Sequence, residues 1–304
     1  MKDNKFRSAG LELPTFALII SCYIIWLSLV LWGGALPTLI WIVLAALNTT
    51  LFWSIIHEVV HGHPTRIGWV NRILVLFPIG WIFPYERFRE THIEHHRTDS
   101  LTDPFDDPES WYIPSTEWGR TNSLIRKLMI FNNTLFGRML IGPIINVVKF
   151  LVSEIRHVTS DSPKGRMIAL HWLVHIALCA AQVWFLIRFG EIGFWALFAS
   201  VYLGTSFLLI RTFLEHQAAA GEAERTVIID TCCPIAFLFL FNNLHFVHHQ
   251  QPGIPWYKLP EVYKADRDNF IAQNNGYVYR SYMDVFKRYF FKTKEPVPHP
   301  FVSG

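Results

Sequence analysis

The longest uncharged stretch of the chain limits the folds that it can adopt. From Leu13 to Ile56 there is no Asp, Glu, Lys or Arg, a run of 44 residues. As a continuous helix this run would extend about 66 Å, roughly twice the thickness of a bilayer core. The GGALP stretch at Gly33–Pro37 interrupts it near the middle. The run therefore predicts a helical hairpin that crosses a membrane and returns, and it is too long for a signal peptide.

A second hairpin is predicted further along the chain. Met167–Ile187 and Ile192–Ile210 are also uncharged, and Arg188 and Glu191 lie in the turn between them. Hydrophobic residues make up 51% of the sequence, which is typical of a membrane protein. Three shorter apolar runs are too short to span and are expected to lie at the interface or to cover a site: Ile73–Pro84, Met139–Val148 and Pro234–Phe241.

The basic residues predict the orientation of these hairpins. In the two-hairpin arrangement, 26 of 27 Lys and Arg residues fall on one side, and only Arg188 lies at a distal turn. The positive-inside rule makes the basic side cytoplasmic, so both termini are expected there. The predicted fold is a single all-α integral membrane domain with four transmembrane helices and a cytosolic helical cap. Its segments are a hairpin at 13–56, a cytosolic part at 57–166, a hairpin at 167–210 and a cytosolic part at 211–304.

Eight of the fourteen histidines fall in three short clusters. These read HEVVH at 57–61, HIEHH at 92–96 and HFVHH at 245–249. Spacings of three and four residues place side chains on one face of a helix. All three clusters lie on the predicted cytoplasmic side, so they are expected to form one site. The clustered residues are His57, His61, His92, His95, His96, His245, His248 and His249.

The number of clustered imidazoles indicates the kind of metal site. Eight are too many for one ion, whereas two ions with four or five nitrogen ligands each use them all. Imidazole suits zinc, copper, iron and nickel, and a zinc site needs only three or four ligands. A histidine-rich di-iron site accounts for every cluster.

Three other interpretations use fewer of these residues. A zinc peptidase would use HEVVH with Glu58 as the general base and leave six clustered histidines without a role. A soluble di-iron carboxylate protein would use the Glu-x-x-His pairs at Glu58 and Glu154 but needs two more glutamates. A metal transporter should carry ionisable residues deep in several spans, and only His171 and His175 approach that. In the histidine-rich interpretation Glu58 supports a ligand instead of acting as a base.

Polar residues near the clusters are candidates for orienting the imidazoles. Ligating histidines usually donate their second ring N–H to a carboxylate or carbonyl. One or two acids of the run after the second cluster are expected to do this, as are the asparagines before the third. By contrast, His299 is expected to lie in a mobile tail. The candidates are Asp99, Asp103, Asp106, Asp107, Glu109, Asn242 and Asn243.

HEVVH, HIEHH and HFVHH, in this order around two hairpins, resemble the three histidine boxes of the membrane fatty acid desaturase superfamily. The resemblance covers roughly 13–260. It implies four transmembrane helices with a cytosolic cap and two non-haem irons held by the boxes. It also implies O₂ as co-substrate and a separate electron donor of the ferredoxin, rubredoxin or cytochrome b5 type. The family often uses a ninth histidine after the last span, and His216 in RTFLEH matches it.

The stretches around the boxes point to a branch of that superfamily. HEVVHGHPTR, RTDSLTDPFDDPES and NNLHFVHHQQPGIPWYKLP resemble the bacterial group that includes dihydrorhizobitoxine desaturase. The resemblance implies an enzyme of the bacterial inner membrane that desaturates a fatty-acyl, lipid or related aliphatic substrate. Hydroxylation or ketolation of a lipid or carotenoid-like substrate is the alternative. The net charge of +3 gives no reason to expect a nucleic-acid partner.

Overall fold

The computed structural model describes residues 10–160 and 162–302. Lys2, Lys5 and Arg7, which contribute to the predicted orientation, lie outside the described residues. The described α-helices are α1 (Leu13–Trp32), α2 (Thr38–Val60), α3 (Gly68–Leu74), α4 (Tyr85–Arg97), α5 (Ser115–Arg120), α6 (Ser123–Asn132), α7 (Leu135–Thr159), α8 (Pro163–Phe189), α9 (Phe194–Glu215), α10 (Pro234–Leu238), α11 (His245–Gln250), α12 (Leu259–Ala265), α13 (Arg267–Asn274) and α14 (Tyr282–Tyr289).

The chain is mostly helical, as predicted, with one small exception. Two strands, β1 (Ile228–Ile229) and β2 (Val278–Tyr279), pair in parallel. Ile228 pairs with Val278 and Ile229 with Tyr279. These strands are too short to change the class, and the protein is an α-helical membrane protein.

Among the described residues, five helices, instead of the predicted four, are long and apolar enough to cross a membrane. They are Leu13–Ala35, Thr38–Val60, Leu135–Thr159, Pro163–Phe189 and Phe194–Glu215. The additional one is α7, which contains the apolar run at Met139–Val148 that was expected to be too short. Arg138 and Lys149 bracket that run in sequence, but the helix continues past both of them.

One face of α7 is apolar and exposed. The exposed residues on this face recur every three or four positions, which makes the helix amphipathic. Such a helix can lie in the membrane interface as well as cross the bilayer. The exposed residues are Leu140, Ile144, Val148, Leu151 and Ile155.

The described residues cluster into two compact units. In the described part of the chain, unit 1 contains 91–142 and 209–302, and unit 2 contains 10–90, 143–160 and 162–208. Each is described separately below.

Polar side chains in unit 2 bond to backbone carbonyls within its apolar helices. Trp41 Nε1 donates to Leu29 O at 2.7 Å, and Asn48 Nδ2 donates to Cys22 O at 3.1 Å. Thr50 Oγ1 lies 2.9 Å from Gly204 O. A membrane offers no water to satisfy such groups, so internal partners are required. These bonds join α1, α2 and α9 inside unit 2.

The core of unit 1 determines which face of α11 is turned toward it. Phe246 and Val247 are buried among apolar residues that include Ile228, Ile254 and Leu259. Because these two side chains face the core, the histidines of α11 point away from it, on the opposite face of the same short helix.

Candidate metal centre

Four histidines of unit 1 bring their ring nitrogens into one group. His95 comes from α4, His216 directly follows α9, and His245 and His249 come from α11. One nitrogen of each lies within 4.8 Å of the others. The i, i+4 spacing on α11 aligns His245 and His249, whereas His95 and His216 reach the group only through the tertiary fold.

The nitrogens in this group are close enough to share an ion. His245 Nε2 lies 3.0 Å from His216 Nε2 and 3.1 Å from His249 Nε2. Two nitrogens that each lie about 2.1 Å from one ion are at most about 4.2 Å apart. These two separations satisfy that limit, and neutral imidazole nitrogens are good ligands for iron.

His95 is oriented by a buried carboxylate. Its Nδ1–H donates to Asp107 Oδ1 at 2.8 Å, so Nε2 is the ring nitrogen available to a metal. That Nε2 is buried and has no hydrogen-bond partner among the described residues. A buried lone pair without a hydrogen-bond partner fits a metal ligand, because leaving a buried polar atom unsatisfied is otherwise costly.

His245 is oriented by a chain of two polar side chains. Asn242 Nδ2 donates to Glu215 Oε1 at 2.7 Å, which fixes the orientation of the amide because a carboxylate can only accept. Asn242 Oδ1 therefore faces His245 Nδ1, at 3.1 Å. Arg211 Nε in turn lies 2.8 Å from Glu215 Oε1. His245 thus donates from Nδ1 and presents an unprotonated Nε2.

The electrostatic environment keeps most of this group neutral. Burial, together with the neighbouring His95, lowers the pKa of His216 to about 3. Burial and the adjacent imidazoles also lower the pKa of His245 and of His249 well below the usual value. For His95, burial lowers the pKa, but the carboxylates of Glu109 and Asp107 outweigh burial and raise it to about 9. Three of the four imidazoles are therefore in the form that binds metal.

A second group in unit 1 contains His92, His96 and His248. One ring nitrogen of each lies within 4.8 Å of the others, and His96 Nε2 is 3.3 Å from His248 Nε2. His92 Nδ1 donates to Glu109 Oε1 at 2.8 Å, which again leaves Nε2 for a metal. The ring of His96 stacks on that of His249 at 4.1 Å between centroids, so the two groups adjoin within unit 1.

The first histidine cluster belongs to unit 2. His57 lies in the last turn of α2, rather than beyond the span as expected, and His61 caps the end of that helix. The ring centroids of His57 and His61 lie 5.0 Å apart. His63 Nδ1 lies 2.8 Å from Glu12 Oε1, and His63 Nε2 is 3.8 Å from Glu58 Oε2. Glu58 is therefore a buried carboxylate beside the imidazole of His63, which is also bonded to the carboxylate of Glu12.

Two residues of the carboxylate di-iron interpretation have other partners. Glu154 accepts from Arg87 Nε at 2.7 Å and Nη2 at 2.9 Å, and also from Trp172 Nε1. His157 is exposed and bonds through Nδ1 to Ser153 O. Neither belongs to the metal-ligating groups among the described residues. Glu154 instead forms a buried ion pair in unit 2.

A narrow cleft with a cavity volume of about 10 Å³ lies in unit 2 beside α2. Phe52, Trp53 and Ile56 line it, one turn before His57 on the same helix. The opposite wall includes Trp81, whose backbone φ of +57° is unusual for a bulky residue. His175 Nε2 donates to Trp81 O at 2.7 Å, so this histidine is hydrogen-bonded to a backbone carbonyl group.

Some of the residues predicted to orient the ligands contact a clustered histidine, and others have different partners. Asp107, Glu109 and Asn242 do contact clustered histidines. Asn243 instead donates to Ile229 O and Thr231 O, and the Asp103 carboxylate accepts the backbone N–H groups of two following residues.

Three residues that contact the histidine groups of unit 1 or their supports could not be predicted from local sequence patterns. Glu215 lies within α9, and Lys294 and His299 come from the C-terminal segment. The prediction that His299 lies in a mobile tail is wrong: His299 is only 6% exposed and hydrogen-bonded to Thr102. No local spacing could reveal these contacts, since they join segments far apart in the chain.

The fold and these groups define a class: an α-helical membrane protein with clustered histidines suited to metal binding. The family model for fatty acid desaturases matches residues 34–282. The chain belongs to the fatty acid desaturase family.

Curated relatives match at modest identity. The chain is 25% identical over 248 residues to the chloroplastic omega-6 fatty acid desaturase of Arabidopsis thaliana, covering 74% of this chain and 52% of that protein. It is 25% identical over 241 residues to a fatty acid desaturase of Bacillus subtilis (strain 168), covering 74% and 66%. The chain therefore spans about half to two thirds of the length of these relatives.

Proposed function

We propose that the protein is an O₂-dependent, membrane-bound di-iron desaturase of a fatty-acyl, lipid or related aliphatic substrate. The observation that carries the proposal is the group of His95, His216, His245 and His249, whose nitrogens converge in a chain of this family. The printed names of the relatives, which are fatty acid desaturases, support the same reaction class.

Two irons use all nine predicted ligands. One is assigned to the four histidines above. The other is assigned to the remaining box histidines, because the family resemblance implies two irons held by the three boxes. When bound, the irons supply the O₂-derived oxidant that removes hydrogen from an unactivated C–H bond. The protein orients the imidazoles through Asp107, Glu109 and Asn242, and it keeps them buried.

The aromatic cleft of unit 2 supports an aliphatic substrate. Its wall of Phe52, Trp53 and Ile56 offers apolar contact and begins one helical turn before His57. With a volume of about 10 Å³ the cleft must widen to admit an alkyl chain, whose C–H bonds would then lie near the ligand-bearing end of α2. Two polar groups there bond to the same residue, since His175 bonds Trp81 O and Gln182 Oε1 accepts from Trp81 Nε1.

The remaining features follow the sequence-based expectations. The chain is a single functional domain in a bacterial inner membrane, with four spans, the metal centre and both termini on the cytoplasmic side. In this arrangement α7 lies in the interface with its apolar face toward the lipid. Electrons come from a separate protein of the ferredoxin, rubredoxin or cytochrome b5 type.

Product analysis tests the reaction. The protein is expressed in membranes with a reductase and an electron carrier, supplied with fatty-acyl and lipid substrates, and the products are analysed by mass spectrometry. A desaturase yields a product with two hydrogens fewer, whereas a hydroxylase or ketolase yields one that has gained oxygen. Both should vanish without O₂ or in His245→Ala. O₂-independent hydrolysis of a peptide would contradict the proposal and favour the zinc peptidase.

A further inference from the structure

We propose that the C-terminal segment 293–299 forms part of the metal centre of unit 1. In this proposal Lys294 positions His216, and His299 positions His95 through Thr102 and Asp107. The inference rests on the proposed function only in requiring that these histidines bind metal; it does not depend on the substrate.

The backbone of this segment is fixed at both ends. Lys294 N donates to Asn133 O at 3.0 Å. Further along, Ile113 N donates to Val297 O at 3.2 Å, and His299 N donates to Ile113 O at 2.9 Å. These bonds are strand-like pairings with segments of unit 1. They hold the side chains of residues 294 and 299 in defined positions.

Lys294 holds the end of α9, from which His216 follows. Its Nζ donates to His216 O at 2.5 Å and to Tyr277 Oη at 3.3 Å. Tyr277 Oη donates in turn to Leu214 O at 2.6 Å. The last carbonyls of a helix have no partner within it, and a cation there is favourable. Lys294 thereby fixes the backbone that carries the His216 imidazole.

The charge of Lys294 is compensated locally. Its side chain is 6% exposed, and its Nζ lies 2.7 Å from Glu295 Oε1. A buried ammonium without partners would be expensive. The His216 carbonyl, the Tyr277 hydroxyl and the Glu295 carboxylate lower the free-energy cost of burying the ammonium group, and they hold the lysine in one position. Lys292, two residues before Lys294 and just outside the segment, is exposed.

His299 begins a relay of hydrogen bonds to His95. Its Nδ1 accepts from Phe301 N at 3.2 Å, so the hydrogen is on Nε2, which donates to Thr102 Oγ1 at 3.2 Å. Thr102 N donates to Asp107 Oδ2 at 2.8 Å. The other oxygen of Asp107 accepts from His95 Nδ1. Each member therefore restrains the next, from the tail to a predicted ligand.

Thr102 is the strained member of the relay. Its φ of +75° lies in the left-handed region, where a β-branched residue is disfavoured. Such conformations persist when the surroundings fix them. Here the N–H bonds Asp107, the carbonyl accepts from Ser110 Oγ at 2.6 Å, and the hydroxyl contacts His299. Loss of the His299 contact should loosen this arrangement and, through Asp107, the orientation of His95.

The test compares metal retention in matched variants of the full chain, purified in detergent and loaded with ⁵⁷Fe. Lys294→Met and His299→Leu remove the two contacts. Lys294→Arg and His299→Gln restore a donor at each position. Lys292→Met and His157→Leu are controls at exposed residues. Bound iron per chain is measured during chelator titration, Mössbauer spectra resolve the iron environments, and size-exclusion chromatography reports the folded fraction.

The expected result is selective. Lys294→Met and His299→Leu should each weaken retention of one iron about 10- to 100-fold, the range typical of residues that orient ligands. The same Mössbauer component should fade in both, and Arg or Gln should restore it. Glu109→Gln, which touches His92 instead, should perturb the other component. Wild-type retention in both variants would overturn the proposal. So would loss of both irons in proportion to unfolded protein, because the tail would then support only the general fold.

Discussion

Asp107 accepts the Nδ1–H of His95 at 2.8 Å while its other oxygen accepts Thr102 N–H at the same distance. Both oxygens are thus engaged as acceptors, a role that an amide cannot fill completely. Asp107→Asn should lower iron affinity about 10- to 100-fold, because the amide nitrogen would face the Thr102 N–H. Chelator competition measures this. Asp106→Asn, an exposed neighbouring acid, is the control, and equal losses in both variants would rule out a specific role.

Glu58 distinguishes a desaturase from a peptidase. In a zinc peptidase the glutamate activates water, so Glu58→Gln would abolish turnover with metal still bound. In the proposed centre Glu58 lies beside His63 and can only support the cluster. We expect a partial decrease, within about 10- to 100-fold, and an unchanged dependence on O₂ and electrons. Glu94→Gln, at an exposed glutamate inside the second cluster, should have little effect. Complete inactivation with full iron content would contradict this expectation.

Alanine substitution tests whether the three clusters act together. Each of the eight clustered histidines should be required, so single variants should lose nearly all oxidation. Turnover and iron content are measured in parallel, with His157→Ala as the control. Near-normal turnover and full metal content in three of the eight would refute the shared centre.

The number of spans can be tested at the two ends of the chain. Four spans place both termini on the same side, whereas five place them on opposite sides. Reporter fusions at Phe6 and Phe301 should both give a cytoplasmic signal, because the basic residues favour that side. A periplasmic signal from either would mean that α7 crosses the membrane or that the hairpins are wrongly assigned.

The cleft of unit 2 predicts an effect on substrate size. Trp53 fills part of the cleft, and the absence of a side chain at Gly80 leaves room for its indole. Trp53→Ala should shift the preference toward bulkier or longer aliphatic substrates by enlarging the cleft. Gly80→Ala should lower turnover, since a Cβ there would collide with Trp53. Competition assays with substrate mixtures measure both, and Trp195→Ala, at an exposed tryptophan, is the control. Unchanged selectivity in Trp53→Ala would remove the cleft from the substrate path.

The sequence alone determined the helical membrane class and the family, and it proposed the ligands. Long uncharged runs have few alternatives to membrane helices, and histidine spacings of three and four are local properties of a helix. The same local reasoning failed for α7, because charges at Arg138 and Lys149 ended the apolar run but not the helix.

Only the tertiary structure decided which side chains hold the ligands in place. It selected Asp107 and Glu109 from a run of acids and Asn242 over Asn243, and it brought in Glu215, Lys294 and His299. His299 is 197 residues from Thr102 in sequence, so no periodicity links them. Such contacts depend on how segments pack in three dimensions, which short-range spacing does not encode. The expected mobile tail is therefore hydrogen-bonded to unit 1, and its His299 is buried next to the residues that orient His95.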